Sequence, residues 1–359
     1  MQLERRVWSL GAVLVVILLT GCAGLGPSQA AEDRIGYNTS LTSSWKRQLL
    51  LNIVKIRYVE PLFFMDVGEI VASYSLETSL SAGLSRTLFE QAGAVEFGVE
   101  GKYTDRPTIT FRPLTGPSFM RGVMSPMPLG NILLSVESGA SAAFIFNLGV
   151  RSINGLRNER LTPQGYQPPD PDFTRAVELI ASLQADNAMH VVRFAPQPDQ
   201  PPRLFLEMPE HAVAPSASSR AAELKKLLGL DPDKDRFALG FGAYTRSPDA
   251  IVLQTYSLAQ MLAMVAGRVD VPEEDLASHR ATPGPPLQAQ AGLFDKTMVR
   301  SSPRKPQEAF ASVHYRGAWF WVDDHDLAAK RVFSFIMLAF TMLDTGQQES
   351  QIQLTIPTQ

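Results

Sequence analysis

The chain contains one cysteine, Cys22, and five histidines, His190, His211, His279, His314 and His325, so thiol and imidazole chemistry have few places to occur. Cys22 closes the run Leu19-Thr20-Gly21-Cys22, directly after an apolar segment. A lone cysteine closes no disulfide within its own chain. The densest set of potential metal ligands is Asp323-Asp324-His325-Asp326. Neighbours at a strand end point in different directions and rarely converge on one ion, so capping of the helix that follows explains these acids better. Asp231, Asp233 and Asp235 have the spacing that opens a calcium loop, but Arg236 and Gly242 stand where its glycine and closing glutamate belong. Gly139-Ala140-Ser141-Ala142-Ala143 lacks the last glycine of a nucleophile elbow, and a buried small-residue turn accounts for it. There is no phosphate loop and no His-Glu-x-x-His pair. No catalytic residue and no metal ligand is assigned. Trp319 and Trp321 flank Phe320 and are candidate surface aromatics, set against the commoner reading of a strand that alternates between core and a covered face.

The residues ahead of Cys22 give its chemistry a direction. Arg5 and Arg6 form a positive segment, and Leu10 to Leu19 is an apolar stretch shorter than the ~20 residues of a membrane-spanning helix. Charge, apolar run, small residues and cysteine, in that order, resemble the signal and lipobox of bacterial lipoproteins. The resemblance implies removal of residues 1–21 by cleavage between Gly21 and Cys22, a diacylglycerol on the Cys22 sulfur and an acyl chain on its amino group. That covalent lipid is the only prosthetic group expected; no cofactor is. Each buried methylene contributes ~0.8 kcal/mol, so several acyl chains together make a durable anchor. Ala23 follows the cysteine where an aspartate would favour retention at the inner membrane. By resemblance to proteobacterial lipoproteins, the expected address is the outer membrane of a Gram-negative bacterium, facing the periplasm. Residues 22–42 read as a lipidated, flexible tether.

The elements beyond the tether are those of an ordinary globular protein. The 359 residues are 45% hydrophobic with a formal net charge of −3, which leaves no electrostatic footprint for nucleic acid. Trp45 to Ile56 has the spacing of an amphipathic helix that opens a domain, ended by Pro61. Tyr74, Leu76, Leu80 and Leu84, then Val95, Phe97, Val99 and Tyr103, hold one parity of two long alternating runs, with small or polar residues on the other. This period-2 pattern predicts two strands, each with one apolar face, joined as a hairpin through 86–93. Thr108 to Phe111 reads as a third strand, Gly130 to Ser138 as a helix, Ala142 to Val150 as buried, and Ser152 to Asn158 as a polar turn region. In the second half, helices are expected at Phe173–Leu183 and Ser218–Leu228 and strands at His190–Phe194 and Arg203–Met208. A further hairpin, Phe237–Tyr244 with Ala250–Thr255, turns through Ser247-Pro248-Asp249. Ser257 and Gln260 form a capping box, and residues 272–307 read as a mobile loop. A hairpin through Arg316-Gly317, an apolar helix after Asp324 or Asp326, and a strand at Gln351–Ile356 close the chain. The fold class expected is α+β: a mixed α/β body with antiparallel hairpins packed against helices, in two subdomains spanning 43–162 and 173–359.

Three stretches, Arg47-Gln48-Leu49-Leu50-Leu51-Asn52-Ile53-Val54, Pro107-Thr108-Ile109-Thr110-Phe111 and Tyr315-Arg316-Gly317-Ala318-Trp319-Phe320-Trp321-Val322-Asp323-Asp324, resemble a family of bacterial lipoproteins with no assigned activity. The resemblance implies a coherent exported domain and transfers no role to any residue.

Three functions follow as expectations. The first is a non-catalytic, lipid-anchored component of the envelope that binds a protein partner or its own copies. The second is a subunit of an oligomeric outer-membrane pore to which the hairpin at 73–104 contributes wall strands, each about the ~9–11 residues such strands need. One hairpin cannot span alone, because its edges would leave backbone groups unpaired in lipid. The third is an envelope hydrolase whose His, Asp and Ser would have to gather from distant segments.

Overall fold

A 31-residue helix, α1 (Pro27–Arg57), opens the structure, a computed structural model that describes residues 27–71, 74–85, 94–105, 108–162, 165–194, 203–209, 215–285 and 297–342. Leu49, Leu50, Ile53 and Val54 form its fully buried stripe. The helix runs back through most of the segment expected to be a tether, although Gly36, Asn38, Thr39 and Ser40 are weak helix formers. Lys55 and Arg57 favour its negative end. It stops in a Schellman arrangement: Glu60 N–H donates to the Lys55 carbonyl and Val59 N–H to that of Ile56, each at 3.0 Å. Val59 therefore takes a left-handed conformation, φ 58°, where glycine is usual.

The chain divides into two compact units, Phe63–Pro117 and the remainder. The described residues of the smaller form four strands. β1 (Phe64–Val71) pairs antiparallel with β4 (Thr108–Leu114), with a register shift between Val67 and Glu69 that Gly68 accommodates. β2 (Tyr74–Ser85) and β3 (Ala94–Asp105) pair antiparallel along all 12 residues of each, without a shift. The register sets Leu76 opposite Tyr103, Leu80 opposite Val99, Ala82 opposite Phe97 and Leu84 opposite Val95, so the apolar parity of one strand meets that of the other. Among the described residues neither strand pairs with a third. The connecting residues 86–93 lie outside the described residues.

The larger unit is α+β. Helices α2 (Pro117–Met124), α3 (Leu129–Glu137), α4 (Ala142–Gly149) and α5 (Pro171–Ala185) come first, with the two-residue-turn hairpin β5 (Val150–Ile153) and β6 (Leu156–Arg157) after α4. Short strands β7 (Arg160–Thr162) and β8 (Gly165–Gln167) precede α5. Then follow β9 (His190–Phe194), β10 (Arg203–Glu207), α6 (Pro215–Leu228), β11 (Arg236–Phe241), β12 (Ala250–Thr255) and α7 (Leu258–Gly267). A six-stranded sheet in the order β6-β5-β12-β11-β10-β9 joins strands from both sides of the expected boundary at 163–172, so the sequence halves share one core. Leu133, Phe146 and Ile180 from the helices meet Ile153, Ile251 and Leu253 from the sheet.

One pairing differs from expectation. β11 and β12 run parallel, Ala238 opposite Ala250 and Phe241 opposite Leu253, and do not form a hairpin. Residues 242–249 reach ~26 Å when extended, enough to return along a four-residue ladder of ~13 Å without a helix. The turn chemistry at Ser247-Pro248-Asp249 was local evidence for a reversal and carried no information on register.

The expected loop at 272–307 contains α8 (Glu273–Ala277) and β13 (Arg300–Ser302); residues 286–296 lie outside the described residues. β13 joins β14 (Ala311–Tyr315) and β15 (Ala318–Val322) in a three-stranded antiparallel sheet, with Arg316 and Gly317 at φ 48° and 85° in the tight turn. This hairpin packs against α1. Asp326 caps α9 (Leu327–Thr341), its carboxylate accepting from Ala329 N–H at 3.0 Å, and Ser257 with Gln260 completes a capping box on α7. The predicted strand at Gln351–Ile356 lies outside the described residues.

Candidate functional site

Two buried polar nodes form where helix ends meet loops, and neither is visible in local sequence. At the first, Tyr58 follows α1 and donates its hydroxyl to the Asp275 carboxylate at 2.6 Å. Burial, then this carboxylate, push the Tyr58 proton well above the ordinary phenol range. Arg280 Nε holds the other Asp275 oxygen at 2.8 Å. Two residues on, Glu60 accepts from the Tyr315 hydroxyl and from Arg316. Those two hydrogen bonds, Tyr315 first, hold its carboxyl below the usual carboxylate range. The Arg316 guanidinium lies 4.9 Å from the Tyr58 ring centre, and the Tyr58 and Tyr315 rings meet edge to face at 5.6 Å. The strained Val59 between them sends Tyr58 inward and Glu60 toward the β14–β15 turn. Arg57, 4% exposed, adds a guanidinium whose Nε has no acceptor among the described residues.

The second node centres on Glu159, between β6 and β7. Its Oε2 accepts from Arg268 at 2.7 Å and from the Tyr166 hydroxyl at 2.8 Å, while its carbonyl accepts from the Tyr256 hydroxyl. Arg268 lies just past α7, and the side chains of Glu159 and Arg268 are each 8% exposed. Burial first, then the nearby Glu159 charge, raises both tyrosine pKa values. A phenol that holds its proton this firmly is a poor general acid and no nucleophile at neutral pH. These nodes join distant segments of the chain.

An open cleft of about 370 Å³ lies between α2, α3, α7 and α9, lined by Ser118, Arg121, Ser125, Asn131, Leu258 and Met342 among others. Among the described residues its lining includes no histidine and no carboxylate.

No family model, curated protein or solved structure matches the chain.

The residues singled out by sequence fall in three places. Gly21 and Cys22 lie outside the described residues, as does His211. Across β2 and β3 the register sets Leu76 opposite Tyr103, Leu80 opposite Val99 and Leu84 opposite Val95, while Phe97 is opposite Ala82 and Tyr74 opposite Asp105. Trp319 and Trp321 alternate with buried Ala318, Phe320 and Val322, so both indoles occupy the outward face of β15, half-buried. Arg300 lies 5.3 Å from the Trp321 ring and Lys305 5.5 Å from that of Trp319.

The acids after β15 each have an occupation. Asp323 pairs with Arg300 at 3.2 Å and accepts from His325, Asp324 binds Lys330 at 2.9 Å, and Asp326 caps α9. Among the described residues no three His, Cys, Asp or Glu side chains are grouped so as to hold a metal ion, and no helix is long and apolar enough to cross a membrane. The nodes at Glu159 and Asp275 escaped sequence reading because their partners stand 109 and 217 positions away.

Proposed function

We propose that this chain is a lipid-anchored lipoprotein of the outer membrane that faces the periplasm and acts by binding, as a non-catalytic component of envelope structure or assembly. One observation carries the reading: Arg5 and Arg6, the apolar run to Leu19, and Leu19-Thr20-Gly21-Cys22 stand in the order that lipidation requires. A Cys22→Ser variant tests the anchor: it should leave the membrane fraction and lose acyl labelling, whereas a variant that stays membrane-bound and labelled refutes it. A pull-down from detergent-solubilised envelope tests the binding role; recovery of neither a stoichiometric partner nor further copies of the chain counts against it.

A second reading has its own observation. β2 and β3 are in unbroken register over 12 residues, their apolar parities matched, and among the described residues both outer edges lack a partner strand. Isolated two-stranded hairpins are marginal in water, so such edges invite further strands. In this reading several subunits close a shared barrel in the outer membrane. Conductance across planar bilayers, abolished by Leu80→Lys with Val99→Lys, is the result expected; a monomer by sedimentation in detergent refutes it.

A further inference from the structure

We propose that the outward face of the β13-β15-β14 sheet is a binding surface for anionic phospholipid headgroups; the inference rests on the lipid-anchor reading above. The register places Arg300 and Ser312 beside Trp321, and Ser302 and His314 beside Trp319, so six residues share the face opposite the buried Phe320 and Val322. Two indoles stand among short hydroxyl side chains with a cation against each. His314 adds a ring 5.3 Å from that of Trp319.

The combination matches the chemistry of a membrane–water interface. Indoles sit where apolar chains meet water, and arginine and lysine take lipid phosphates. Arg300 is shared with Asp323, but among the described residues Arg304 and Lys305, both exposed in the turn after β13, have no carboxylate partner. The Trp321 Nε1–H is buried without an acceptor among the described residues, although a buried indole donor usually finds one. A glycan fits less well: sugar rings stack on open indole faces, and Lys305 and Arg300 already lie over these two.

The anchor and this face can engage one bilayer together. β14 runs beside α1, with Phe310 under Lys46 at 4.1 Å and Tyr315 against Tyr58 at 5.6 Å, so the tryptophan face is turned away from α1. With that face on the headgroups, α1 lies ~10 Å farther out, the usual spacing of packed layers. The five residues from Cys22 to Gly26 can span up to ~17 Å, more than this separation.

The test uses the mature lipidated protein reconstituted in vesicles whose acyl chains carry bromine, of phosphatidylcholine alone or mixed with phosphatidylglycerol. Tryptophan fluorescence is read in vesicles that have been floated. Quenching about twofold stronger with phosphatidylglycerol, fading as salt is raised, is expected. Trp319→Phe with Trp321→Phe should remove that difference, and Arg304→Glu with Lys305→Glu should remove it with the indoles intact. Equal quenching in both lipids, no change in either variant, or capture of an acidic polysaccharide with no response to phosphatidylglycerol overturns the proposal. Co-flotation in these cases leaves the anchor standing. Protein that fails to float at all overturns the anchor and this proposal together.

Discussion

Removing Arg268 should be among the most damaging single changes available to the larger unit. Its side chain and that of Glu159 are each 8% exposed and meet at 2.7 Å through Glu159 Oε2, and Glu159 Oε1 is buried with no hydrogen-bond partner among the described residues. Arg268→Ala strands a buried carboxylate with only the Tyr166 hydroxyl to support it. Breaking a buried pair on one side costs about 3–5 kcal/mol, because the abandoned charge keeps its desolvation cost while losing its counter-charge. At roughly 2 °C per kcal/mol for a body of this size, the melting temperature should fall by about 6–10 °C. The double variant Glu159→Leu, Arg268→Met removes both charges at near-constant volume and should recover most of the loss. Differential scanning calorimetry of the three proteins at neutral pH measures this. A drop under about 1 kcal/mol for Arg268→Ala, or a double variant as unstable as the single, would refute the reasoning that this is a desolvated, mutually dependent pair.

Three further outcomes follow from named contacts. Val59→Gly relieves a β-branched residue at φ 58° on an exposed turn and should raise stability by about 0.5–1 kcal/mol in denaturant titration, net of the entropy glycine adds to the unfolded chain; a loss would contradict the strain. Gly284→Ala places a Cβ 2.8 Å from the Gly267 carbonyl oxygen, a backbone atom that cannot swing aside, and should cost about 1–3 kcal/mol by thermal melting. Glu60 is held below its unfolded value by Tyr315 and Arg316, so it stabilises the fold above about pH 4.3 and that contribution is lost as pH falls through its lower folded value. Melting temperature followed from about pH 5 to 3 should therefore decline less steeply in Glu60→Gln than in the parent, and parallel curves would exclude the role.

Local signals marked the elements and were silent on their assembly. The turn at Arg316-Gly317, the box at Ser257 and Gln260 and the alternation through β2 and β3 are short-range patterns, and each appears where it was expected. The hairpin expected at 237–255 is a parallel pair because strand direction depends on sheet partners, and β12 is held on its other side by β5 from the opposite half of the chain. The long reach of α1 toward Pro27 was hidden by residues of low helix propensity. Trp319 and Trp321 were legible as candidates from period-2 spacing; their cations were not, since Arg300 comes from a strand read as loop. Polar nodes at Glu159 and Asp275 require the folded chain to bring their partners together.

Intact-mass spectrometry of the protein purified from envelope membranes probes the anchor most directly. The expected species is a chain that begins at Cys22 and carries the added mass of a diacylglycerol and one further acyl group, both lost in Cys22→Ser. A chain that retains residues 1–21 with an unmodified thiol would contradict it.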